Sequence, residues 1–147
     1  VVILSNKGET LMGYCMDQVG SKFRIERKNF EKALLAIKAL AGAETIKDGS
    51  GPHFSWVTPS EFLEAKTLPE AIQAWRWHAE VDGDEGDIID ISFRGQKYGD
   101  DDAFFKAIAP FVAKGSFIEM TGEEGARWRW FFDGYTVHEQ SGRVVYE

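Results

Sequence analysis

The densest run of ionisable side chains is Asp82-Gly83-Asp84-Glu85-Gly86-Asp87, four carboxylates within six positions. Such a run can hold a hard cation, because Ca²⁺ and Mg²⁺ take oxygen ligands, or attract a basic partner. The calcium-loop reading fails on spacing. Counted from Asp82, the fifth position is Gly86 and the twelfth, where a bidentate Glu belongs, is Phe93. A second acidic pair, Glu123 and Glu124, lies between Gly122 and Gly125 in what reads as a hairpin turn. His53, His78 and His138 are scattered and show no zinc-ligand spacing. Cys15 is the single cysteine, so no intrachain disulfide forms, and it reads as an ordinary semi-buried thiol. An acid–base pair could be drawn from Glu80, Glu119 and Glu139, yet no spacing brings two of them together. Phosphate-cradling loops, nucleophile elbows and dinucleotide fingerprints are absent. No catalytic residue, metal ligand or cofactor is therefore assigned.

Trp75-Arg76-Trp77 and Trp128-Arg129-Trp130 repeat one triplet, but their flanks do not match as an internal repeat. Trp128 and Trp130 read as core. Exposed instead, beside Arg76, Arg127 and Arg129, they would form a platform on which bases stack.

These groups are positioned by an expected α+β domain spanning residues 1–147, with six or seven mostly antiparallel strands and three or four helices packed on one sheet face. Phe23 and Ile25 alternate in a short strand over 21–26. A helix capped by Asn29 carries Phe30, Leu34, Ile37 and Leu40 or Ala41 on one face and stops at Gly42. Residues 47–52 form a loop and Phe54–Val57 a short strand. Thr58-Pro59-Ser60-Glu61 and Thr67-Leu68-Pro69-Glu70 are two capping boxes with proline at the first helical position, predicting two short helices. Trp77, Ala79 and Val81 alternate into the acidic turn, and Ile89, Ile91 and Phe93 alternate out of it. This hairpin sets Glu80 opposite Asp90, a repulsive pair to be relieved by Arg127 and Arg129, by a cation or by solvent. Asp100, Asp101 and Asp102 charge the N-terminus of a helix bearing Phe104, Phe105, Ile108 and Val112, which Pro110 kinks or ends.

The hairpin of Ser116–Thr121 and Arg127–Phe132 is the best specified. Ile118 faces Trp130 and Met120 faces Trp128 on the inner side; Glu119 faces Arg129 and Phe117 faces Phe131 outside. A slip of one residue would set both arginines against apolar partners. Thr136–Glu139 and Arg143–Tyr146 are expected as a closing pair around Gln140-Ser141-Gly142. Phe117 and Phe131 either form an exposed patch suited to self-association or lie under a helix, so monomer and homodimer both stay open.

The 147 residues are 44% hydrophobic, 14% aromatic and 28% charged, which excludes fibrous and disordered classes. Net charge is −7, and residues 79–147 hold 7 basic against 15 acidic groups. That balance argues against nucleic acid as a partner. The apolar stretches are too short for a bilayer span, and no signal-peptide pattern opens the chain. A cytoplasmic location is expected.

The segments Phe54-Ser-Trp-Val57, Ala74-Trp-Arg-Trp77, Phe93-Arg-Gly-Gln-Lys-Tyr-Gly-Asp100 and Ser116 through Gly134 resemble small bacterial and mobile-element proteins of no agreed activity, over roughly residues 22–135. The resemblance implies a stand-alone bacterial accessory domain and assigns no catalytic residue. The leading expectation is a non-enzymatic protein-binding domain, inhibitor- or immunity-like. It would meet an unidentified protein partner through Asp82, Asp84, Glu85 and Asp87 with Glu123 and Glu124. The alternative is a small-ligand or single-stranded nucleic-acid binder using exposed Trp and Arg. A third reading, a metal-dependent hydrolase, rests on Glu80, Asp90 and His78 sharing a sheet face.

Overall fold

The computed structural model describes residues 13–42 and 54–142, which form six strands and four α-helices in an α+β arrangement. The first strand, β1, runs Met16–Lys22, earlier than the alternation at 21–26 suggests. Phe23 and Ile25 are buried all the same. They lie just past the strand end, where Ile25 exchanges backbone hydrogen bonds of 3.0 and 2.9 Å with Ile88, and Arg24 accepts from the Ala113 N–H. Alternation there reports burial, Phe23 against Phe132 and Ile25 at a single bridge to Ile88, not a continuous strand ladder.

Asn29, expected as a cap, belongs to a 3-10 turn over Arg27–Asn29 that leads into α1 (Phe30–Gly42). The buried stripe of α1 is Ala33, Ile37 and Ala41, with Phe30, Leu34 and Leu40 flanking it. The proline-started helices appear as α2 (Pro59–Leu63) and α3 (Leu68–Ala74). Thr67 accepts from the Glu70 N–H at 3.3 Å, while Glu70 accepts from the Lys66 N–H at 2.8 Å, closing the box one residue early. Thr58 makes no side-chain cap bond. Phe54–Val57 is a tight turn closed by a single bridge, not a strand.

β2 (Trp77–Val81) and β3 (Ile88–Phe93) pair with Glu80 opposite Asp90, as expected. A bulge after Glu80 shifts the register, so Ile88 is buried in place of Ile89. α4 (Asp101–Ile108) gives way to a 3-10 turn, Ala109–Phe111, because Pro110 has no N–H to continue the helix. β4 (Phe117–Gly122) and β5 (Arg127–Phe132) pair in the expected register throughout. β6 (Val137–Gly142) runs through Gln140-Ser141-Gly142, which were expected to turn. The free edge of β5 offers six partners in a row, from Phe132↔Val137 to Arg127↔Gly142, and ladder bonds override local turn preference. The strand expected at Arg143–Tyr146 lies outside the described residues.

The strands form a four-stranded sheet, β1-β4-β5-β6, and a separate β2-β3 pair, where one sheet was expected. The two lie beside one another along a seam. Backbone bridges close its ends, Ile25 to Ile88 and Cys15 to Lys97. Side chains fill its middle: the Gln18 amide donates to the Ile91 carbonyl at 2.9 Å and accepts from the Phe93 N–H at 2.7 Å. Gln18 thus satisfies backbone groups of β3 that a paired strand would have taken. The Asp90 carboxylate is held there by the Ser21 hydroxyl (2.7 Å) and by the Ile91 N–H (2.9 Å). Relief of the Glu80–Asp90 pair comes from this seam and from the exposure of Glu80, with Arg127 and Arg129 engaged elsewhere.

α4 packs on the inner sheet face through aromatic side chains. Phe105 meets Trp77, Trp130 and Phe132 at ring-centroid distances of 5.1, 4.8 and 5.8 Å. Trp75 stacks on Phe104 at 5.4 Å. Among the described residues no helix is long and apolar enough to cross a membrane.

Candidate functional site

The two acidic turns lie at opposite ends of β1. Met16, at its start, pairs with Gly122 beside Glu123 and Glu124, and Lys22, at its end, leads to Arg24, which grips Asp87. Six residue steps along a strand separate them by roughly 20 Å, so no single patch contains both. Within the 82–87 turn, Asp87 is committed to structure. It accepts from the Arg27 N–H at 2.8 Å and from the Arg24 guanidinium at 2.6 Å, and these bonds hold its carboxyl below the usual range. Arg27 also donates to the carbonyls of Asp84 and Gly86. Asp82, Asp84 and Glu85 are exposed and form no ion pair with another described residue.

At the other end, Glu123 accepts from the Cys15 N–H and Glu124 accepts from the Tyr14 hydroxyl at 3.1 Å. Burial and the neighbouring Glu124 push the Tyr14 hydroxyl up from its ordinary value. Trp56, packed against Gly13 next to Tyr14 in the chain, is 50% exposed and has a backbone φ of 67°. A bulky residue in that left-handed region is a strained outlier. Trp56 is held there by the Phe54–Val57 bridge and by the Ser55 N–H bond to Asp100 at 2.7 Å. Its indole lies over two glycines: a Cβ on Gly99 would come within 3.0 Å of the ring and one on Gly13 within 3.3 Å. Lys97 donates to the half-buried Cys15 thiol at 3.1 Å. Trp56 and Lys97 escaped sequence reasoning, although both lie in the segments that carry the bacterial resemblance. Nothing in a linear pattern announces a left-handed tryptophan.

The five residues of the alternative platform do not act together. Arg76, only 13% exposed, donates to both oxygens of the fully buried Asp101 (2.9 and 3.1 Å) and to the Lys97 carbonyl (2.6 Å). The Trp77 indole and the Gly99 N–H complete the shell of Asp101, whose carboxyl burial nonetheless pushes up. Trp128 and Trp130 are buried on the inner face against Tyr98 and Phe105, which corrects the exposed-indole reading and agrees with their assignment to the core. Arg127 and Arg129 lie on the outer face. Arg127 pairs with Glu119 at 3.0 Å; Arg129 donates to Gln140 at 2.5 Å and rests over the rings of Phe117 and Phe131. No group of three His, Cys, Asp or Glu side chains able to hold a metal gathers among the described residues. His78 and His138 lie on separate sheets and His53 is outside the described residues.

The structure does bring together two carboxyls that the sequence kept apart. Asp102 accepts from Trp130 Nε1 at 2.7 Å and from the Tyr98 hydroxyl at 3.1 Å, and Glu139 stands directly across the ladder from Trp130. Burial first, then the charge of Asp102 and a hydrogen bond to it, raise the Glu139 carboxyl, against a lowering bond from Tyr98. Burial and Asp102 also push the Tyr98 hydroxyl far up. A raised folded-state pKa means that ionised Glu139 opposes folding above that pKa. The penalty fades as pH falls through it and is gone below the ordinary value of 4.5. Glu139→Gln should therefore raise the melting temperature at pH 7, with the variant and parent curves converging as pH falls toward 4.5. Parallel curves across that window would rule out the shared-charge account. β6 is an edge strand among the described residues, and an inward carboxylate there discourages pairing with a further strand.

Comparison with protein-family models, with curated proteins and with solved structures returns no match. The chemistry of the site rests on its own geometry.

Proposed function

We propose that this is a protein-binding domain, of inhibitor or immunity type, whose contact surface centres on Trp56 and is rimmed by Glu123 and Glu124. The observation that carries this reading is Trp56 itself, half exposed on a strained backbone over Gly13 and Gly99. Tryptophan is the residue type most enriched at interface hot spots. A rigid indole ordered before binding spares the partner the entropy of ordering it. The glutamate rim favours a basic partner with an apolar cleft for the ring. Asp82, Asp84 and Glu85, at the far end of β1, contribute long-range steering, which salt screens.

The test is affinity capture from nuclease-treated bacterial lysate with the parent protein, Trp56→Gly and Glu123→Gln/Glu124→Gln. Releasing a left-handed non-glycine residue is worth about 1–2 kcal/mol, which offsets much of the packing lost with the half-exposed ring. Trp56→Gly is thus expected to keep a near-parent melting temperature and to lose a stoichiometric partner that the parent recovers. A partner retained equally by Trp56→Gly would refute the anchor. Recovery that disappears on nuclease treatment would move the assignment to nucleic acid.

A further inference from the structure

The outer face of the four-stranded sheet carries a site independent of the Trp56 surface. Its side chains form rows across the strands: Lys22, Phe117, Phe131 and His138 in one, Gly20, Glu119, Arg129 and Gln140 in the next, and Asp17, Thr121, Arg127 and Gly142 in the third. Over the last two rows lies a depression of about 730 Å³, lined by Glu119, Arg127, Arg129, Gln140, Ser141 and Gly142, with Trp128 also bordering it. It exists in part because Gly142 faces Arg127 without a side chain; a Cβ there would sit 3.6 Å from that of Arg127.

The donors in this depression outnumber the acceptors. Glu119, its carboxylate, already accepts from one Arg127 amine, and the rest of that guanidinium remains, since arginine carries five N–H donors. The Gln140 carbonyl oxygen is taken by Arg129 Nε, which leaves the Gln140 amide nitrogen as a donor. The Arg129 guanidinium rests over Phe117 and Phe131 at 5.7 and 5.3 Å from their centroids, while the side chain as a whole stays exposed. It therefore offers solvent a planar, cationic, pre-positioned surface of the kind on which nucleobases stack. On a chain of net charge −7, this face carries among the described residues three cations, Lys22, Arg127 and Arg129, against Asp17 and Glu119.

We propose that the depression binds a nucleoside monophosphate, with the base on the Arg129 plane and the phosphate on Arg127 and the Gln140 amide. The volume lies within the range of small-ligand sites, and the net charge of the whole chain disfavours a polynucleotide.

The test is calorimetric titration of the full chain with AMP and UMP, and with inorganic phosphate and adenosine as separate arms. AMP and UMP are expected to bind in the millimolar range or tighter, and each more tightly than phosphate or adenosine. Arg129→Ala should weaken AMP by about tenfold, the size of one lost stacking contact, and leave phosphate unchanged. Arg127→Ala should weaken both. Gly142→Val fills the depression while leaving both arginines in the sequence, its Cβ in ordinary contact with Arg127, and should abolish AMP binding at an unchanged melting temperature. It keeps the test open if an arginine variant folds poorly. Equal affinity for AMP and inorganic phosphate would mean an adventitious ion only and would overturn the proposal. So would AMP binding that survives Gly142→Val, or no heat from AMP at all.

Discussion

Asp101→Ala is expected to destabilise the protein by about 3–5 kcal/mol, the cost of leaving one partner of a buried ion pair without the other. The fully buried carboxylate takes two bonds from Arg76, one from the Trp77 indole and one from the Gly99 N–H. Its removal strands a guanidinium whose side chain is 13% exposed and whose Nε already lacks a partner among the described residues. It also orphans the Trp77 donor inside the aromatic core. For a chain of this length the loss corresponds to a melting temperature lower by roughly 10 °C or more. Arg76→Met combined with Asp101→Leu should cost much less than the two single changes added together, because the double change removes both charges. A single-variant cost below about 1 kcal/mol, the range of exposed pairs, would show that water reaches the pair. The arginine holds this contact from a left-handed backbone, φ 76°. That strain persists because Asp101 and the Lys97 carbonyl together fix the side chain.

Trp130→Ala should cost a similar amount, about 3–5 kcal/mol for a large aromatic deleted from a packed core. Its ring meets Trp77, Tyr98, Phe105 and Trp128 within 6.1 Å of centroid distance, so the cavity would open where both sheets and α4 join. Its Nε1 also supplies Asp102 with its shortest hydrogen bond, 2.7 Å. Trp130→Phe separates the two contributions: it keeps an aromatic ring and loses the donor, for an expected cost of about 1–3 kcal/mol. Denaturant unfolding of the three proteins reads both numbers. If Phe proves as damaging as Ala, the hydrogen bond to Asp102, not packing, dominates at this position.

Much of the scaffold beneath these side chains was legible. The β4–β5 register followed from arginines and tryptophans alternating on one strand, because the wrong register buries charge. The two proline-started helices followed from proline in the first turn of each, a signal that acts within four residues, although only Thr67 makes its cap bond. β6 was misjudged because Gln140-Ser141-Gly142 favours a turn locally, whereas the partner that overrides it is another strand. The split between the sheets was illegible for a related reason. Nothing about Gln18 in sequence marks it as the side chain that stands in for a backbone.

The candidate sites divide along the same line. Sequence alone determined which residues alternate and which turns are acidic, since those properties depend on neighbours a few positions away; it left Trp128 and Trp130 open between core and exposed face, and their burial is tertiary. Only the tertiary structure decided that Asp87 is bound by Arg24 and Arg27 while Asp82, Asp84 and Glu85 are not. It alone placed the acidic turns at opposite ends of β1, turned Arg76 inward to Asp101 and set Glu139 beside Asp102. Each of these is a contact between distant segments, and its energy depends on burial and on the partner's charge, neither of which exists until the chain has folded.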